Sequence, residues 1–141
     1  MSIKNSFLAL FLFISVTQFA CKKDSETSIV GKWTVESLRT KTSAPAASGI
    51  PSGDETESLS GQTVEFRSDG SYQSCENGDC FNGYYQKSGN IIKFSDTQDF
   101  ADAESFTIQS LTNKNMVLYS KSTETIGGYV INMELWINLR R

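Results

Sequence analysis

The chain contains no histidine. That absence removes Ser-His-Asp and Cys-His relays, histidine general bases and histidine-bound zinc from the functions open to it. Cysteine is scarce too: Cys21, Cys75 and Cys80 are the three present, too few for a zinc–thiolate site. No glycine-rich phosphate loop occurs. Positive charge is limited and unclustered, with 13 Lys and Arg against 16 Asp and Glu, so nucleic acid is not expected as a partner. The apolar run from Phe7 to Ala20 already contains Ser15, Thr17 and Gln18. It falls short of the roughly 20 apolar residues that cross a hydrocarbon core. Glu65 and Glu134 are the carboxylates that invite pairing, but both alternate to the solvent face. The acidic run Asp96, Asp99, Asp102, Glu104 lacks the alternating acids and the glycine of a calcium loop, and reads as a solvated loop. Neither metal nor cofactor is expected, and catalysis is disfavoured.

What is present begins at the N-terminus. Lys4 gives a positive start, Phe7 to Val16 an apolar stretch, and Ala20 a small residue before Cys21; this is the pattern of a secretion signal over residues 1–20. A plain secretory signal or an uncleaved anchor is the alternative to lipoprotein processing. The segment ending in Ala20-Cys21 resembles a lipobox, and the resemblance implies fatty acylation (palmitate-class) of the Cys21 thiol after cleavage. The implied partner is a membrane, held through the lipid anchor. A single acyl chain binds marginally, so the durable case is the multi-chain one that such lipoproteins resemble. Lys22 follows the cysteine where Asp would suggest inner-membrane retention, so the expected location is the cell envelope at the outer membrane, in an unassigned leaflet.

Residues 21–28 are polar and aperiodic and read as a tether. The remainder, 29–141, is long enough for one domain with one core. It is patterned as strands throughout. Trp33, Val35 and Ser37 alternate with polar residues, as do Val64 and Phe66 before the Asp69-Gly70 turn signal. Return strands are read over Tyr72–Cys75, Phe81–Lys87, Ile91–Phe94, Phe106–Ser110 and Met116–Tyr119. A long final strand alternates Tyr129, Ile131, Met133, Leu135, Ile137 and Leu139. Eight strands joined mostly by short turns predict an all-β fold, an up-and-down antiparallel eight-stranded barrel. Thr40–Ser60, rich in Ser, Ala, Gly, Pro and Glu, is expected to be a mobile excursion. Ser95–Ser105 is expected to hold one short helix capped by Ser95. Cys75 and Cys80 flank Asn77-Gly78 in an export-permissive setting, and a structural disulfide is favoured over a redox pair because the spacing is not Cys-x-x-Cys.

Gly31-Lys32-Trp33 resembles the Gly-x-Trp signature of lipocalins. Together with "TVEFRSDGSY", "GYYQKSGNIIKF" and "FTIQSLTNKNMVLY", it makes the segment Ile29–Leu139 similar to bacterial lipocalin-like lipoproteins. The resemblance implies a lipocalin-like barrel closed at its base by Gly31, Trp33 and a late arginine, Arg140 or its neighbour Arg141. It also implies a small hydrophobic ligand in a cup beneath the Thr40–Ser60 loop.

The residues expected to face inward are Val35, Val64, Phe66, Tyr72, Ile92, Phe94, Phe106, Ile108, Ile131, Met133 and Leu135. They line a cup or simply fill the interior. The two outcomes separate two functions: a non-catalytic ligand carrier, or a structural or inhibitor-like interaction protein with a filled barrel and an unknown protein partner. Trp136, on the opposite face of its strand, is expected to be covered by the acidic segment or to belong to a contact patch.

Overall fold

Tight turns set the rhythm of this chain. Asn77 and Gly78 both take positive φ, 51° and 95°, as a type I′ turn requires, and that turn's twist matches the strands it joins. It links β4 (Ser71–Glu76) to β5 (Asp79–Ser88). Gly127 and Gly128 repeat the device between β8 (Asn115–Ile126) and β9 (Tyr129–Arg140). The remaining strands are β1 (Gly31–Ser43), β2 (Gly53–Ser58), β3 (Thr63–Phe66), β6 (Ile91–Ser95) and β7 (Glu104–Leu111). The structure, a computed structural model, describes residues 27–141. The leader over 1–20, Cys21 and most of the 21–28 tether therefore lie outside the described residues.

Every pairing is antiparallel. The order is β2-β1-β3-β4-β5-β6-β7-β8-β9, and β9 pairs back onto β1. The chain is thus all-β, with eight strands closed into an up-and-down barrel. Closure removes the sheet edges that an open meander would leave.

The ninth strand corrects one expectation. Thr40–Ser60 is not a mobile excursion: β1 continues to Ser43, a 3-10 turn follows at Ala46–Ser48, and β2 returns along the same edge. β1 serves two neighbours in succession, β3 over Gly31–Thr34 and β2 over Ser37–Thr42. Arg39 fastens the hairpin with a two-pronged pair, Nε donating to Asp54 Oδ1 at 2.8 Å and Nη2 to Oδ2 at 2.6 Å. Every β2 residue is exposed. A strand that buries nothing needs no apolar alternation, and none marks it in the sequence.

A second correction concerns Ser95–Ser105, which forms turns rather than a helix. Ser95 ends β6, and its Oγ accepts from the Thr97 amide at 3.2 Å. Asp99 Oδ1 then accepts from Thr97 Oγ1 and the Ala101 amide. The capping bonds are those a helix start would use, but they close successive local turns instead.

Two bulges phase the core. In β1 the register shifts between Val35 and Ser37, leaving Glu36 as the extra residue, so inward positions change from odd to even. Trp33 and Val35 face in before it; Leu38, opposite Ile137, faces in after it. Ser37, expected on the inward face, is turned outward, where its Oγ accepts from Asn138 Nδ2 at 2.9 Å. β7 carries the second shift, between Ile108 and Ser110, which brings Leu111 opposite the fully buried Met116. The resulting core joins Ile29, Trp33, Val35, Phe66, Ile92, Phe106, Ile108, Met116, Leu118 and Leu139.

Candidate functional site

The barrel has one sealed end and one open end. At the sealed end Trp33 is fully buried, and its indole Nε1 donates to the Ile29 carbonyl at 2.7 Å. Arg141 lies beneath it, guanidinium carbon 4.1 Å from the ring centroid, with Nη2 donating to the Ser28 and Val30 carbonyls. Gly31 sits against the same guanidinium at φ 125°, a backbone region that side chains strain. Of the two arginines expected to reach Trp33, Arg141 closes the base and Arg140 does not. Its strand position turns it outward beside Glu36, at 3.4 Å. Arg141 follows the buried Leu139 by two positions, on the same side of the alternation, and its amide donates to the Lys114 carbonyl at 2.9 Å, so its side chain turns under the barrel. Ile92, Ile108 and Met116, all at or below 8% exposure, complete the plug.

Above the plug the barrel encloses an open-mouthed cavity of about 570 Å³. Its wall is aromatic. Phe94 meets Tyr72 edge-on at 5.3 Å and Phe106 at 5.7 Å; Phe66 contacts Phe94 at 6.0 Å and Tyr85 at 5.1 Å. Phe81 extends the wall from Tyr72 toward the mouth, at 6.2 Å. One glycine makes this wall possible. Gly83 stands opposite Tyr72, and a Cβ placed on it would lie 2.6 Å from the Tyr72 ring and 2.9 Å from the Ser95 carbonyl oxygen. The ring occupies the space a side chain would take. Burial, followed by the negative charge of Asp96 and Glu104, holds the Tyr72 phenol above its ordinary ionisation range.

Six of the residues expected to line a cup do line this cavity: Val35, Val64, Phe66, Tyr72, Phe94 and Phe106. Others fall elsewhere. Ile92 and Ile108 belong to the plug below it. Leu135 packs against the edge of the core, opposite Thr40. Ile131 is buried away from the main cluster, and Met133 is half-buried opposite Thr42. Both sit where β9 runs on beyond the cavity, which alternation along a single strand cannot reveal. The cavity also takes in Leu38, Leu59, Phe81, Leu118, Ile137 and Leu139. Ile137 and Leu139 carried a readable signal in the β9 alternation, whereas Leu38 was hidden by the bulge and Leu59 by the unmarked β2 hairpin.

Trp136 faces outward, as its alternation requires. It is covered not by the acidic segment but by Tyr119, at 5.2 Å between centroids, and by the Arg39 guanidinium at 4.8 Å. Cys75 and Cys80 are directly opposite each other on β4 and β5 and form a disulfide across the I′ hairpin.

The family model of the lipocalin-like domain matches residues 29–118, from the base of the barrel into β8. The chain belongs to the lipocalin-like family. No curated protein matches it significantly. In the lipocalin-like barrel described here, β9 lies beyond the matched segment yet supplies both closure with β1 and, through Arg141, the seal under Trp33. A lipocalin-like barrel with an open, aromatic-walled cup is compatible with a small hydrophobic ligand, and lipocalin-like domains are generally non-enzymatic.

Proposed function

We propose that this chain is a lipid-anchored, non-catalytic binding module of the cell envelope that holds a small, mainly apolar molecule in the barrel mouth. The cavity carries this reading. At about 570 Å³ it has the size of pockets that take small molecules, and its wall is mostly apolar and aromatic. A filled barrel, the requirement of the interaction-protein alternative, would leave no such space. The anchor rests on the leader and on Cys21, with the outer membrane favoured by Lys22. The non-catalytic role rests on the missing histidine, which removes histidine relays and histidine general bases.

Native mass spectrometry of the exported chain carrying Cys21→Ser, purified from its own envelope, tests the binding role. A discrete small molecule travelling with the protein is the expected result. A clean ligand-free mass, with no uptake from an envelope lipid extract, would return the filled-barrel interaction protein to first place. Fractionation tests the anchor: Cys21→Ser should move the chain from membranes to the soluble fraction, and persistence in membranes would overturn the lipoprotein reading.

A further inference from the structure

We infer that the ligand is a cation: an apolar body bearing an amine or quaternary ammonium group. This rests on the cavity being the binding site, and concerns the charge that site selects. Strand register puts three carboxylates on the inward face at the mouth. Glu57 stands opposite Leu38, and Glu104 opposite Phe94. Glu76 follows Ser74 by two positions, and Ser74 is flanked by Val64 and Phe81. All three border the cavity, beside the uncharged Gln62 and Ser74, and among the described residues no lysine or arginine does. Two adjoining clefts continue the same sign. One, at the β4–β5 turn, adds Asp79; the other, between Tyr72 and the turns after β6, adds Asp96 and Asp102.

Most cations of the described barrel are directed away from the mouth, and Lys87, opposite Ile92, lies toward the sealed end. Arg39 holds Asp54 on the outer face, Arg67 lies beside Glu65, Arg140 beside Glu36, and Arg141 under Trp33. Lys41 and Lys121 flank Glu134 outside, and Lys93 alternates outward next to Phe94. Charge is therefore segregated. An anionic headgroup at this mouth meets three like charges and no lining cation among the described residues. A cationic one meets opposite charge at the rim and the faces of Tyr72, Phe81 and Phe94 below it, the arrangement that favours ammonium over aromatic rings.

The test is displacement of a neutral apolar dye, N-phenyl-1-naphthylamine, from the full chain carrying Cys21→Ser, kept free of detergent. Decyltrimethylammonium and decanoate, each below its micelle-forming concentration, are the competitors. The cation should displace the dye at about a tenfold lower concentration, and the gap should narrow as salt is raised. It should also narrow in the Glu57→Gln, Glu76→Gln, Glu104→Gln triple variant, read as the ratio of the two displacing concentrations, from which any change in dye affinity cancels. Equal potency, stronger displacement by decanoate, or a preference unmoved by both salt and the triple variant would overturn the inference while leaving the cavity as an apolar site. Should the triple variant fail to fold, the salt dependence of the unaltered rim decides. Absence of binding by dye and by both amphiphiles would overturn the binding site itself.

Discussion

Arg141 and Trp33 lock the two ends of the described chain together: the guanidinium lies 4.1 Å from the indole centroid while its Nη2 binds the Ser28 and Val30 carbonyls. The last residue thereby fixes the entry to the first strand. A stacked cation contributes about 0.5–2 kcal/mol, and hydrogen bonds from a charged donor add about 1.5–3 kcal/mol at best. Arg141→Ala should therefore lower the unfolding free energy by about 2 kcal/mol in denaturant titration. Arg140→Ala, which loses only a surface pair with Glu36, should cost no more than about 0.5 kcal/mol. Equal effects of the two would remove the seal assigned to Arg141.

Gly83 and Tyr72 should be energetically coupled. The Gly83→Ala methyl would meet the ring at 2.6 Å, and overpacking of this kind costs about 1–3 kcal/mol. In a double-mutant cycle Tyr72→Leu should recover part of that loss. The rest should persist, because the Ser95 carbonyl oxygen lies 2.9 Å from the same point. Additive effects would mean that the ring does not depend on the missing side chain.

Reducing Cys75–Cys80 should cost stability without opening the barrel. The sequence separation is 5, for which chain-entropy arithmetic gives about 2 kcal/mol. The Asn77-Gly78 turn and the β4–β5 ladder hold the hairpin independently. The expected signature is a lower denaturation midpoint with an unchanged near-ultraviolet spectrum from the Trp33 base.

Alkaline titration should resolve a late phenol. Tyr72 is held above its usual range first by burial, then by Asp96 and Glu104. The folded state thus keeps its proton more tightly than the unfolded chain does. The stability tied to this group is complete below the unfolded value of about pH 10 and declines as pH rises through the folded one. Difference absorbance of the phenolate should lose part of its latest phase in Tyr72→Phe, and an unchanged profile would contradict the assignment.

The legible parts of this structure were those with a local physical cause. Asp69-Gly70 and Asn77-Gly78 demand turns, and the Trp33/Val35 and Val64/Phe66 alternations demand half-buried strands, so the eight barrel strands could be read directly. What escaped depended on partners distant in sequence. Glu36 shows nothing of the bulge it occupies, yet that bulge sends Ser37 outward and Leu38 inward. β2 exists because β1 offers it a free edge, not because its own residues bury anything. Ile131 and Met133 share a face with Leu139 but stand beyond the cavity, a matter of how far β9 overruns its neighbours. Arg140 and Arg141 fall on opposite sides of the alternation, and which side meets Trp33 is set by the register of β9 against β1.

The location of the sealed end has a consequence for how cargo would travel. Thr27 lies by the β5–β6 turn, among Lys87, Gly89 and Asn90, and Ser28 sits under Trp33, so the chain enters the barrel from below. Under the proposed anchoring at Cys21, the eight residues to Ile29 span at most roughly 28 Å. The plug would then face the bilayer and the mouth would look away from it. Cargo would be exchanged with the aqueous side or a facing partner, and lipid drawn straight from the anchoring leaflet would have no direct way in.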